Sequence, residues 1–195
     1  MTSLRAAFQE VLAALDRLEI AFFVGGSVAS GSYGLPRQTN DIDIVADFRG
    51  VDIGEFCSLL GRDFYVDEVT VREAIRAGRP FNAIHLRAAV KFDFFPAGAE
   101  GFVQSELARR RYTVSAVPGL ERIEFPVSSA EDAVLAKLIW FRSGGEVSER
   151  QWHDILGILK VQADRLEREY LRMWADRLGV TELLERAWAE LSSRG

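Results

Sequence analysis

This chain carries little that could serve disulfide or soft-metal chemistry. Its 195 residues include one cysteine, Cys57, and two histidines, His85 and His153. A lone cysteine excludes a disulfide framework and a cysteine-built metal site, so Cys57 reads as a small apolar residue packed in a helix. Two isolated histidines do not make a zinc site; packing or surface is the reading for both. Long apolar runs are missing as well. No stretch approaches the roughly eighteen apolar residues of a membrane span, so no membrane partner is expected. The N-terminal "MTSLRAAFQEVLAALDRL" lacks a basic region followed by an apolar core and reads as an amphipathic helix rather than a signal peptide. A cytoplasmic location is the simplest expectation. Positive charge is also short, with 24 Lys and Arg against 29 Asp and Glu, a net charge of −5 and a pI near 5.2. That argues against a surface coated for nucleic acid. The run Arg109-Arg110-Arg111 reads as a solvated helix end. Neither GxGxxG nor GxxxxGK[ST] occurs, which disfavours Rossmann and P-loop readings.

What is present suffices for a core: 48% of residues are apolar and 27% charged, within the range of an ordinary globular domain. Helical spacing predicts a helix over residues 3–18. A short strand follows over 21–24, a small-residue helix over 27–34 with Ser27 near its N-cap, and a strand over 41–45. Further helices are expected over 52–61 and 69–77, with a short strand over 64–66 between them. A strand pair over 81–86 and 90–95, a helix over 100–110, and a hairpin over 112–117 and 120–125 turning at Pro118-Gly119 come next. From Ser128 onward everything reads as helix: 129–142, 148–161, 164–178 and 180–192. The class is α+β, with a mixed region over 1–127 and a helical region over 128–195 packed on or beside it.

The chemistry begins in "FFVGGSVASGSYGLPRQTNDIDIV". Alternate residues of a strand share a face, so Asp41 and Asp43 point one way and Ile42 and Ile44 the other, into the core. Adjacent carboxylates on an apolar strand repel unless a cation lies between them, and a hard divalent ion suits all-oxygen ligands. A bare D-x-D is, however, more often the solvated face of an edge strand. "VKFDFFP" repeats the anomaly: Phe92 and Phe94 face one way, and Lys91, Asp93 and Phe95 the other. If the two strands are neighbours, three carboxylates converge, the ligand set of a two-metal phosphoryl-transfer site. Lys91 on the same face reads first as an ion pair with Asp93. Upstream, Gly25-Gly26-Ser27 follows a strand and opens a helix, whose free N–H groups and serine hydroxyl suit a phosphate.

Taken together, "VGGS", "DID" and the aspartate of "KFDFF" resemble the nucleotidyltransferase superfamily that includes DNA polymerase beta. "RQTNDIDIV" is similar to the Arg-x-Thr-x-Asp-Ile-Asp form of the minimal bacterial nucleotidyltransferases. "LAKLIWFR…ERQWHDILGIL" resembles the helical segment of the abortive-infection toxin branch, which carries a lysine on one helix and Arg-x-x-x-Asp on the next. The resemblance spans roughly residues 20 to 160. It implies a nucleotidyltransferase-like mixed β-sheet with flanking helices and a C-terminal helical bundle. It further implies Mg²⁺-dependent transfer of a nucleoside monophosphate from an NTP. On that analogy Asp41, Asp43 and Asp93 ligate two Mg²⁺ ions and are catalytic, Asp93 helping to deprotonate the acceptor. Gly25, Gly26, Ser27, Arg37, Thr39 and Lys137 then bind the nucleotide.

Lys137 is the lone charge in a run apolar nearly all round, so it must snorkel or reach a cleft. Arg150 and Asp154, at i,i+4, read equally as a surface pair or as supports that orient charge in that cleft. Trp174 and Trp188 read as core, or as cover for a partner surface such as a second copy joined through the C-terminal helices. The expected activity is nucleotide transfer to an unidentified acceptor: an RNA end, a protein or a small molecule such as an aminoglycoside. A toxin role would add an antitoxin partner. The alternative is a non-catalytic relative that binds nucleotide or protein.

Overall fold

The computed structural model describes residues 3–36, 38–39 and 41–193. Three packed layers organise them, a sheet with helices on both faces. A mixed sheet contains β1 (Phe22–Val24), β2 (Asp41–Ala46), β3 (Phe64–Tyr65), β4 (Phe81–His85), β5 (Val90–Pro96), β6 (Arg111–Val114) and β7 (Glu124–Val127). Its strand order is β3-β4-β5-β2-β1-β7-β6. The pairs β2–β5 and β1–β7 are parallel, whereas β1–β2, β3–β4, β4–β5 and β6–β7 are antiparallel.

Period-two patterning explains the sheet's two faces. Ile42, Ile44 and Ala46 of β2, and Val90, Phe92 and Phe94 of β5, are buried on one side. There α1 (Leu4–Arg17), α3 (Ile53–Leu60) and α4 (Glu68–Arg76) cover them. Phe8 of α1 meets Phe125 edge-on at 4.9 Å between ring centroids, and Phe56 of α3 meets Phe94 edge-on at 5.6 Å. Each fully buried phenylalanine contributes roughly 2–3 kcal/mol by removing its ring from water. β1 is buried on both faces, as a central strand must be when both sides of a sheet are covered.

The opposite face carries α2 (Gly26–Tyr33), α5 (Phe102–Arg109), α6 (Ala130–Ser143) and α7 (Glu149–Gln162), then α8 (Arg168–Arg177) and α9 (Thr181–Ser193). Ala29 of α2 joins Val134, Leu138, Ile155, Leu171 and Leu184 in a second apolar core. Trp174 and Trp188 pack against it, and Arg168 and Arg172 lie over the Trp188 ring.

Four local expectations need correction. α2 starts one residue earlier than expected, at Gly26, with Gly25 at the N-cap and Ser27 in the first turn. The hairpin does not turn tightly at Pro118-Gly119. Its strands end at Val114 and Glu124, because Val117, Leu120 and Ile123 of the connecting loop are drawn into the core. The helix expected over 164–178 is split into a 3-10 turn (Ala163–Arg165) and α8. The arginine run is not simply solvated: Arg109 is half-buried among Glu131, Asp132 and Glu167, with its guanidinium 4.0 Å from the centroid of the Tyr170 ring.

Candidate functional site

β2 and β5 run side by side in parallel, and their register pairs Asp43 directly with Asp93, and Asp41 with Lys91. Strand spacing alone therefore holds the Asp43 and Asp93 backbones about 4.8 Å apart. Asp43 is half-buried, Asp93 likewise, and Asp41 lies at the exposed start of β2. Burial is the first cause that lifts the Asp43 carboxyl above its ordinary value, and Asp93 beside it is the second. Lys137 and Lys91 oppose that shift. Lys91 completes the group: its ammonium sits 2.8 Å from Asp93 Oδ2 and 3.8 Å from Asp41 Oδ1. The hydrogen bond to Asp93 raises the lysine above its usual range. Among the described residues, no three His, Cys, Asp or Glu side chains form a ready-made metal cage.

The glycine turn is built against this group. The Gly25 N–H donates to the Asp43 carbonyl at 2.9 Å. Gly26 has φ +53°, and a Cβ placed there would lie 1.7 Å from Asp43 Oδ2. Only glycine permits both that left-handed backbone and that approach. The donor chemistry fits a hard divalent cation: three carboxylates on one sheet face, with a backbone turn closed onto one of them.

A single cleft of about 680 Å³ joins these parts. Gly25, Gly26, Ser27, Thr39, Asp41, Asp43, Asp93, Lys137, Arg150 and Asp154 all line it, so ten of the eleven expected site residues share one cavity. The eleventh, Arg37, lies outside the described residues. Thr39 is buried, and its hydroxyl donates to the Asp41 carbonyl at 2.9 Å, which shapes the entry to β2. Lys137 is buried and its ammonium donates to Asp154 Oδ2 at 2.8 Å. The Ser30 hydroxyl stands 3.5 Å from the same oxygen. Arg150 is an exposed part of the cleft wall.

Sequence reasoning missed five residues of this cleft. Phe23, Phe102 and Trp140 give it apolar walls, and Trp140 is 55% exposed although its helix reads as buried nearly all round. Trp140 meets Phe95 edge-on at 6.0 Å. Glu106 is buried in the wall, and burial, followed by the nearby Asp132, pushes its carboxyl up to about 9. Ser128 is buried in the same lining, its hydroxyl without a hydrogen-bond partner among the described residues. No local signal marks these residues as parts of one cleft, because only the packing of β1, α5 and α6 brings them to it.

No family model matches the chain, and no curated protein matches it by sequence. Solved structures do. The solution structure of the antibiotic-resistance factor ANT(2'')-Ia superposes with a TM-score of 0.52, covering 96% of this chain and 94% of that one at 15% identity. The crystal structure of ANT(2'')-Ia in complex with adenylyl-2''-tobramycin gives 0.51, covering 88% and 94%, also at 15% identity. The chain has the nucleotidyltransferase fold. An antigenic nucleotidyltransferase-like protein from Paracoccidioides brasiliensis also superposes, with a TM-score of 0.46 at 17% identity over 96% of this chain and 93% of that one. Within the nucleotidyltransferase fold, the paired aspartates stand at the middle of the sheet, beside the strand that leads into the glycine turn.

Proposed function

We propose that this protein is a Mg²⁺-dependent nucleotidyltransferase that moves a nucleoside monophosphate from an NTP to a hydroxyl of a small molecule. One observation carries the reading: Asp43 and Asp93 lie opposite each other in register, in the same cleft as the Gly25–Ser27 turn and Lys137. Asp41, Asp43 and Asp93 would hold Mg²⁺, which would neutralise developing charge on the phosphates. The N–H groups at the start of α2 and the Ser27 hydroxyl face the triphosphate. Lys137, held by Asp154, adds a positive charge to that end of the cleft. Arg37, Thr39 and Arg150 complete the nucleotide side. The acceptor oxygen bonds to the α-phosphorus, the bond to pyrophosphate breaks, and Asp93 takes the hydroxyl proton. Residues 1–127 serve as the transfer core, and 128–195 close the cleft over it.

Three features favour a small acceptor: the modest cleft, its aromatic walls and the net negative charge, which disfavours RNA. A neighbour of the same fold held an adenylylated small molecule, which supports the reading by analogy of fold. The likeness to the toxin branch rests on the Lys137 and Arg150-x-x-x-Asp154 motif alone. A non-catalytic nucleotide-binding relative is the second reading, favoured by the lack of a ready-made three-acid cage among the described residues.

The test is incubation of pure protein with each α-labelled NTP, Mg²⁺ and panels of metabolites, RNA and protein. Label should move to a small molecule with the wild type and stay on the NTP with Asp41→Ala/Asp43→Ala. Transfer that survives the double substitution removes the metal-site assignment. No transfer to any acceptor moves the protein to the second reading.

A further inference from the structure

The cleft's acidic group is cationic at one point. In the register of β2 and β5, Lys91 stands beside Asp41, two pairs along from Asp43 and Asp93 with the Ile42–Phe92 pair between them. Alternation along β5 puts Lys91 and Asp93 on one face, so the lysine cannot turn to the core without exchanging with Phe92. Its ammonium bridges Asp93 Oδ2 at 2.8 Å and Asp41 Oδ1 at 3.8 Å. These are two of the three oxygens sets that a divalent ion would need. We infer that Lys91 is a built-in counter-ion that stands in for a divalent cation in the metal-free protein and must yield before the metal is captured.

The inference rests on the metal-site reading above and adds a mechanism of order. Each carboxylate held by the ammonium is unavailable to a metal, and a lysine kept nearby repels an arriving dication. Divalent affinity is therefore weak in the protein alone. Triphosphate changes this in two ways. Its negative charge offers the ammonium another partner, and its oxygens join the ligand set. Metal and nucleotide are then captured together, with positive coupling between them that is reciprocal by linkage. Lys91 acts here as a positioning residue. It holds Asp93 and Asp41 in place without metal, and its flexible stem, part of which is exposed, lets the charge move aside.

Calorimetric titration of Mn²⁺ into the protein tests this, with and without α,β-methylene-ATP. Wild type, Lys91→Met, Lys91→Arg and Asp43→Asn are compared, each checked for folding by near-UV circular dichroism. Without nucleotide, Lys91→Met should bind Mn²⁺ about tenfold or more tightly than wild type, while Lys91→Arg should stay near wild type. The gain in Mn²⁺ affinity on adding the nucleotide analogue should shrink by a similar factor in Lys91→Met. Equal Mn²⁺ affinity in wild type and Lys91→Met overturns the inference and, with Asp43→Asn binding Mn²⁺ more weakly than wild type, leaves the metal site standing. Absence of Mn²⁺ binding in every protein, nucleotide present, overturns the metal-site reading and the inference with it. Should Lys91→Met fail to fold, tightening in Lys91→Gln carries the same decision.

Discussion

Two groups of acids lie on the cleft side of the sheet, and they are treated in opposite ways. Asp132, on α6, is held by dedicated donors. Tyr170 donates to Oδ1 at 2.6 Å and Ser129 to Oδ2 at 2.7 Å. Around it, Glu131 accepts from Arg109 and from the Glu167 N–H, so the group ties α5, α6 and α8 together. Asp43 and Asp93, on the sheet, face each other across a strand pair with a movable lysine nearby. Fixed, close-fitting hydrogen bonds mark a structural role, because a buried acid is tolerated when its oxygens are satisfied. Two acids placed side by side, with repulsion left in the fold, are the arrangement on which the proposed cation site rests.

Gly26→Ala is the largest expected break in this contrast. Its methyl group would displace the Asp43 carboxylate and force a left-handed alanine, costing about 1 kcal/mol from backbone strain alone. Transfer activity should fall by about a hundredfold or more, whereas Gly25→Ala, whose Cβ meets only Phe23 at 3.9 Å, should stay within about tenfold. Equal losses in kcat/KM for the two variants would remove the special role of Gly26.

Glu106 sharpens the contrast, since it is buried and yet belongs to neither group. Its carboxyl, ordinarily near 4.5, is held up to about 9 in the fold. Between those values the unfolded chain sheds the proton and the folded chain keeps it, so this residue costs stability progressively as pH rises from about 4.5 to about 9. Glu106→Gln should therefore be more stable than wild type by about 2–4 kcal/mol at pH 8, with the gain nearly gone at pH 4.5. Urea titration at the two pH values checks this; a gain that does not depend on pH would mean that Glu106 is ionised in the fold.

Tyr170→Phe is the smallest of the three. It removes the donor to Asp132 and the partner of Ser105, and should cost about 1–2 kcal/mol. The melting temperature then falls by a few degrees, with kcat/KM unchanged well below the transition. A selective loss of activity at unchanged melting temperature would move this network from support to catalysis.

The sheet was legible because strand alternation is a local property. Ile42, Ile44, Phe92 and Phe94 declare the core face, and Asp41, Asp43, Lys91 and Asp93 fall on the other face by necessity. The Lys91–Asp93 pair followed from the same rule. Asp154 was ambiguous, because helix crossing rather than spacing brings it to Lys137. Glu106, Ser128 and the partners of Arg109 were invisible for the same reason: each depends on where α5 lands against α6 and α8. The hairpin misled because proline and glycine announce a turn, while three apolar residues around them pull the loop inward.

The parallel pairing of β2 with β5 has one more consequence. These strands touch in space, yet α3, β3, α4 and β4 lie between them in the chain. That whole excursion covers the core face or extends the sheet's outer edge. Its loops can lengthen or shorten without altering the spacing of Asp43 and Asp93, which the shared backbone ladder alone sets. The part of the chain between the two acids is thus the part whose length they need least, and the natural place for grafting a tag, a sensor or a second binding surface.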